Sequence, residues 1–305
     1  MKKLLFVSIL LLITKTVVFS SENLIFEQIL AGLKYHQILI KDWKVKCILK
    51  GKTLRAPIPY EKETTPNVEI WASKQGKIYY ERKKTGDFSD VIVVFNGEIL
   101  QVLGGNNKGA IQTPTERQIR NAFLSSKFTP FHLLNFLSLS EKPITDVLEK
   151  TNQIKNLKIT EEILNGEGCY LLDFIFVDEI IYKGIKGKQV YKYSLWLNKN
   201  KGFLPVKKIE TWLQDENSGK KYVEGITEVT EIKKFEDDRI WFPIKAKQDG
   251  KVYNEDGSIR THVLWEIKLE TVEINKGIPD NFFEIKFPKG TKVWDERTGV
   301  TYEIK

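Results

Sequence analysis

A mainly β (α+β) protein is predicted from this 305-residue sequence: one large, curled antiparallel sheet with helices packed on or covering its concave side. Three observations predict it. Stretches from Trp43 to Leu103 and from Cys169 to Ile274 are rich in apolar–polar alternation with period two, the pattern of strands with one wet face. The turns between these runs are short, so consecutive strands pair as antiparallel neighbours. Two other stretches, 24–40 and 113–150, switch to helical spacing. Ten or more successive strands make a sheet too large to stay flat, and strand twist curls it. The helices then bury their apolar faces on the concave side.

The elements follow in order. Lys2 and Lys3, an apolar core from Leu4 to Ile13, and Val18 and Ser20 before Ser21 have the layout of a secretory signal. Residues 1–20 are therefore expected to be a signal peptide cleaved near Ser20–Ser21, which makes the mature protein an exported, periplasmic domain. The apolar core is about half the length of a spanning helix, which weighs against the rival reading of an uncleaved anchor. Leu24 to Ile40 reads as a helix, with Ile25, Ile29, Leu30, Leu33 and Ile38 near one face and Ser21 and Asn23 as caps. Trp43, Val45, Cys47 and Leu49 then alternate with lysines as a half-buried strand.

Residues 51–67, with Pro57, Pro59 and Pro66, form a connection or an edge. Val68–Ala72 and Lys77–Arg82 are strands across a turn at 73–76. Val91–Phe95 and Glu98–Leu103 flank Asn96-Gly97, which predicts a type I′ hairpin with positive φ at both central residues. Gly104 to Gly109 is glycine-rich but lacks the Gly-Lys-Ser/Thr ending of a phosphate loop, so a plain turn is expected. Between 113 and 150, Thr115 and Gln118 have capping-box spacing, and Thr129 caps a helix with Pro130 at its first position. Phe131, Leu134 and Leu137 share one face of a segment that is apolar almost all round, and are expected to form a lid or plug. Strands resume at Cys169–Phe176, Val190–Leu197, Phe203–Leu213, Tyr222–Lys233, Arg239–Lys247 and His262–Ile274.

Composition narrows the function. The chain is 41% apolar without a low-complexity tract, so it is globular rather than disordered. The net charge of +8 falls to +5 once Lys2, Lys3 and Lys15 leave with the leader. Lysines mixed with acids read as a solvated surface, with a basic face toward anionic lipid as the rival. Nucleic acid is disfavoured, because export removes the usual target and no basic–aromatic motif appears. Cys47 and Cys169 sit in strands far apart in the expected sheet order, which favours two buried thiols over a disulfide.

No catalytic, cofactor or metal site is read from the residues. His36, His132 and His262 lack partners at metal spacing. No Gly-x-Ser-x-Gly elbow is present. The pairs Glu161-Glu162, Asp178-Glu179 and Asp237-Asp238 are read as solvated acids in or beside turns. The aromatic residues of the strands, Trp71, Tyr79, Tyr80, Tyr191, Tyr193, Trp196, Trp212, Trp241 and Trp265, are core residues first and cavity lining second.

Several stretches resemble a known family. They are Glu69-Ile70-Trp71, Gly76 to Glu81, Val94 to Glu98, Leu195 to Asn198 with Gly202 to Lys208, and Ile240-Trp241-Phe242-Pro243. Over roughly residues 24–290 the chain resembles the outer-membrane lipoprotein carrier (LolA/LolB-like) superfamily, which includes RseB-like periplasmic regulators. The resemblance implies an open half-barrel closed by helices over an apolar cavity for acyl chains, spanning residues 21–290; by its own pattern, Val293-Trp294 and Val300-Thr301-Tyr302 about a turn at Arg297-Thr298-Gly299, the stretch 291–305 is an added C-terminal hairpin. The chain is longer than a bare carrier and has no lipobox cysteine. Arg55 and Arg82 are the candidates for the arginine by which carriers hold their lid.

The expected function is therefore non-enzymatic: binding a lipid or lipoprotein acyl chain for transport across the periplasm to the outer membrane, as a monomer. Trp43, Val45, Leu49, Val263, Trp265, Ile267 and Leu269 are expected to line the apolar cavity. The alternative is an RseB-like envelope sensor whose partner is a protein of the inner or outer membrane.

Overall fold

A computed structural model describes residues 21–56, 67–83, 90–114, 138–139, 142–182, 185–217, 219–235 and 239–305. The leader, the caps at Thr115 and Thr129, His132, and Phe131, Leu134 and Leu137 lie outside the described residues.

Helix α1 (Ser21–Leu39) buries Phe26, Ile29, Leu30 and Leu33. These fall at i, i+3, i+4 and i+7, one face of a 3.6-residue period. Ile38 was expected on that face but is 72% exposed. Five residues beyond Leu33 turn it about 140° away. His36 is buried in its place, hydrogen-bonded through Nε2 to the Trp241 carbonyl at 2.9 Å. Midway along the helix, a Cβ on Gly32 would stand 2.2 Å from the Phe203 ring. The glycine costs helix propensity but lets the ring close on the helix backbone.

The strands that follow are β1 (Asp42–Arg55), β2 (Asn67–Lys74), β3 (Lys77–Lys83), β4 (Val91–Phe95), β5 (Leu100–Gly104) and β6 (Lys108–Gln112). A small pair, β7 (Ser138–Leu139) and β8 (Lys142–Pro143), leads into α2 (Ile144–Glu149). The second series is β9 (Ile154–Leu164), β10 (Glu167–Tyr182), β11 (Ile185–Asn198), β12 (Leu204–Leu213), β13 (Lys221–Phe235), β14 (Ile240–Tyr253) and β15 (Ile259–Ile274). A terminal hairpin, β16 (Lys292–Asp295) and β17 (Val300–Glu303), ends the chain.

Among the described residues, fifteen of these strands form one sheet in the order β17-β16-β6-β5-β4-β3-β2-β1-β15-β14-β13-β12-β11-β10-β9. It is open, with β17 and β9 as its edges, and is a curled half-barrel. Two antiparallel meanders are sewn together by one long-range pairing, β1 against β15, from Trp43 opposite Ile274 to Arg55 opposite His262. The terminal hairpin joins the sheet through β16, which runs parallel to β6.

Both large apolar clusters lie on the same face of the sheet, called here the inner face. One gathers Val45, Cys47, Leu49, Trp71, Val93, Phe242, Ile267 and Leu269. The other packs α1 and α2 onto Leu172, Phe174, Phe176, Tyr193 and Leu195. A Lys34–Glu149 ion pair links the two helices. On the outer face, Ile278, Phe283 and Ile285 cover Ala72 and Val94. Cys47 and Cys169 are separate buried thiols, on strands with five others between them.

Four local expectations are corrected. Strand β9 was not anticipated, because its residues are mostly exposed and carry little alternation. At Asn96-Gly97 only Gly97 takes a positive φ. The turn is instead a longer one in which Asn96 Oδ1 accepts from the Glu98 and Ile99 amides at 3.0 and 2.9 Å. Consecutive left-handed residues occur instead at other turns, among them Asn106-Asn107 in the plain turn between β5 and β6, where asparagine tolerates that conformation. Glu161-Glu162 and Asp178-Glu179 lie within strands rather than beside turns; the period of two sends the members of each pair to opposite faces. Asp237-Asp238 lies outside the described residues.

Candidate ligand-binding face

The strand period places the site. In the β1–β15 pairing, Leu49 stands opposite Ile267, Cys47 opposite Leu269, Gly51 opposite Trp265 and Thr53 opposite Val263. Trp43 and Val45 continue the same row across a bulge at Lys46/Cys47. All seven cavity residues named from the sequence thus share the inner face. Val45, Leu49, Ile267 and Leu269 are buried in the apolar cluster, with Trp43 and Trp265 packed against it half-buried. Val263 is half-buried too, one lane further along the sheet.

Polar side chains were missed on this face. Glu69 of β2 is 5% exposed. Its Oε2 accepts from Trp71 Nε1 at 2.9 Å and its Oε1 from the Tyr80 hydroxyl at 3.0 Å. Arg82 stands across from it on β3. Burial pushes the Glu69 carboxyl above its ordinary pKa, against the opposing pull of the Trp71 and Tyr80 hydrogen bonds and the Arg82 charge. The Tyr80 hydroxyl is pushed up as well, by burial first and then by the neighbouring carboxylate. Of the two candidate lid arginines, Arg82 is on the inner face, whereas Arg55 is exposed at the end of β1. The available signal was parity: Glu69 sits two residues before Trp71, so both must face the same way.

Glu69 sets a pH dependence. A carboxyl whose pKa is higher folded than unfolded binds more protons in the native state, so stability falls as pH rises from the unfolded value through the folded one. Relative to Glu69→Gln, the wild-type protein should therefore lose stability as pH climbs from about 4.5. Urea midpoints of both proteins at a series of pH values check this. A constant difference between them would remove Glu69 from the account.

A second polar group crosses the middle of the inner face. Lys208 of β12 stands opposite Thr227 of β13, then Gln248 of β14, Trp265 of β15 and Gly51 of β1. Lys208 pairs with Glu210 at 3.4 Å, and Gln248 Nε2 donates to Thr227 Oγ1 at 3.4 Å. Leu195 of one apolar cluster stands opposite Lys208 at one end of this polar stretch, and Trp265, packed on the other cluster, stands at its far end.

The remaining titratable candidates have structural partners. Asp178 is buried and bonds Lys142 Nζ at 2.6 Å. Glu161 pairs with Lys199, and Glu162 accepts from Trp196 Nε1. His262 Nε2 lies 2.9 Å from Asp249 Oδ1. Among the described residues, no three His, Cys, Asp or Glu side chains gather as a metal site requires, and no helix is long and apolar enough to cross a membrane.

No family model matches the chain, and neither does any curated protein. Solved structures do resemble it. One is a DUF1329 family protein from Desulfovibrio piger, 13% identical, covering 85% of this chain and 97% of its own, with a TM-score of 0.47. Another is the Mycobacterium tuberculosis lipoprotein LppX, 8% identical, covering 82% and 97%, with a TM-score of 0.30. A third is MucB in complex with MucA(peri), 7% identical, covering 83% and 99%, with a TM-score of 0.22.

Proposed function

We propose that this protein is a non-enzymatic, exported carrier that binds a lipid or lipoprotein acyl chain on its inner face and takes it across the periplasm to the outer membrane. The observation that carries the reading is the placement of Trp43, Val45, Leu49, Val263, Trp265, Ile267 and Leu269 on one face of an open, curled sheet. An acyl chain needs apolar contact along its length and no reactive group, since a carrier releases its cargo unchanged. At ~0.8 kcal/mol per methylene, about ten buried methylenes approach the ~8 kcal/mol of micromolar binding, before ordering costs. A fluorescent fatty-acyl probe should therefore bind the purified protein and be displaced by natural lipid. Trp265→Glu should weaken the probe at least tenfold, because it places a charge against the chain. Failure of any acyl probe to bind overturns the carrier reading.

The edge strand β9 favours a second reading. Among the described residues no strand pairs with its outer side, and Ile163 is 80% exposed. Such an edge can accept a strand from a partner. An envelope sensor would use it to hold a membrane protein. Co-purification with a single inner-membrane protein, without extractable lipid, supports the sensor; extractable lipid that passes to acceptor membranes supports the carrier.

A further inference from the structure

We propose that the polar lane on the inner face is a recognition subsite for the polar end of the bound chain, and that it selects an uncharged hydroxyl or amide head. The proposal rests on the acyl-binding reading and adds to it which end of the ligand lies where.

The lane holds two unpartnered buried polar atoms on adjacent strands. Among the described residues, Gln248 Oε1 and Trp265 Nε1 have no hydrogen-bond partner. Gln248 is only 5% exposed, and its Nε2 is already turned to Thr227. Gln248 and Trp265 are direct cross-strand neighbours, with Cβ atoms about 5 Å apart by sheet geometry. A buried donor or acceptor left without a partner costs stability, so an orphaned pair on a binding face points to a group supplied from outside. One orphan donates and the other accepts. The complementary group must do both at one place: a hydroxyl oxygen can accept from Trp265 Nε1 while its hydrogen goes to Gln248 Oε1, and an amide can do the same with its two ends.

Charge narrows the choice further. Lys208, in the same lane, is buried and paired with Glu210. That pair leaves the lane without net charge, so a carboxylate or phosphate finds no uncompensated cation there. The lane alongside runs from Glu210 through Gly225 and Gly250 to Val263. Gly225 and Gly250 oppose each other there and present no side chain to the lane. The apolar row of Ile267, Leu269 and Leu49 begins beside Trp265 on the same face. A head held at Gln248 and Trp265 therefore has its chain directed along that row.

The test compares three ligands of equal chain length: dodecan-1-ol, dodecanamide and dodecyl methyl ether. Each competes against a fluorescent fatty-acyl probe on the purified protein. The ether keeps the chain and an acceptor but has no donor. Wild-type protein should prefer the alcohol, the amide or both over the ether by about tenfold, one hydrogen bond to an otherwise orphaned buried group. The alcohol and amide arms distinguish the two head chemistries. In Gln248→Leu, which removes the acceptor that the ether cannot use, the alcohol-to-ether and amide-to-ether ratios should fall toward one, whereas Trp265→Phe, which removes a donor that all three ligands accept from, should weaken all three alike and leave the ratios near those of wild type. These ratios are internal to each variant, so a general loss of affinity does not imitate the Gln248→Leu result. Equal displacement by all three ligands on wild-type protein overturns the head-group subsite and leaves the acyl-binding face standing. A preference that persists in Gln248→Leu, or three affinities that Trp265→Phe leaves unchanged, assigns recognition elsewhere and overturns the proposal. Absence of displacement by any ligand overturns the acyl-binding reading itself.

Discussion

Trp71→Ala should lower stability by about 3–5 kcal/mol, read as a fall in the urea midpoint with the slope unchanged. Trp71 is among the largest fully buried side chains, and its ring packs on Tyr80 with centroids 4.3 Å apart. Truncation leaves a cavity in the cluster to which β1, β2, β4, β5 and β12 to β15 contribute. It also strips the Nε1 donor from the buried Glu69 carboxyl. Trp71→Phe separates the two contributions: it restores most of the volume but not the donor, so its cost should be roughly 1–3 kcal/mol, that of a buried acceptor losing a partner. If Trp71→Ala cost less than 1–2 kcal/mol, roughly a surface effect, this part of the inner face would not be a packed core.

Phe174→Ala should cost about 3–5 kcal/mol in the other cluster. Phe174 is buried beneath α1 and α2, with its ring 5.3 Å from that of Tyr193. Because that cluster anchors both helices, hydrogen exchange should quicken in α1 and α2 more than in β1–β5. Six strands lie between β2 and β10 in the sheet. The two clusters share no residue, so the double variant should be additive within about 0.5 kcal/mol. Strong coupling between the sites would mean that the two clusters behave as one core.

The long strands of this protein were legible because period two survives wherever one face is dry and the other wet. Trp43 to Leu49 and Val263 to Leu269 show it plainly, and the register then places all of them on one face. Strand β9 was invisible because an edge strand with both faces exposed has no pattern to display. Glu69 and Lys208 were overlooked as site residues because a charged residue inside an apolar run reads as the wet face unless its parity is counted. Gln248 and Thr227 gave no signal: their importance lies in which strands stand beside them.

The amino-acid sequence by itself determined the long half-buried strands, the inward parity of their apolar residues, the helix before β1 and the separation of the two cysteines. Each of these follows from local periodicity, which depends on neighbours a few residues away. Only the tertiary structure decided that β1 closes against β15, joining the first meander to the last long strand across more than two hundred residues. It alone set β16 parallel to β6, buried His36 in place of Ile38, and aligned Lys208, Thr227, Gln248 and Trp265 in one lane. Non-local pairing is chosen by the whole set of apolar surfaces that must be covered at once, and no single segment carries that information.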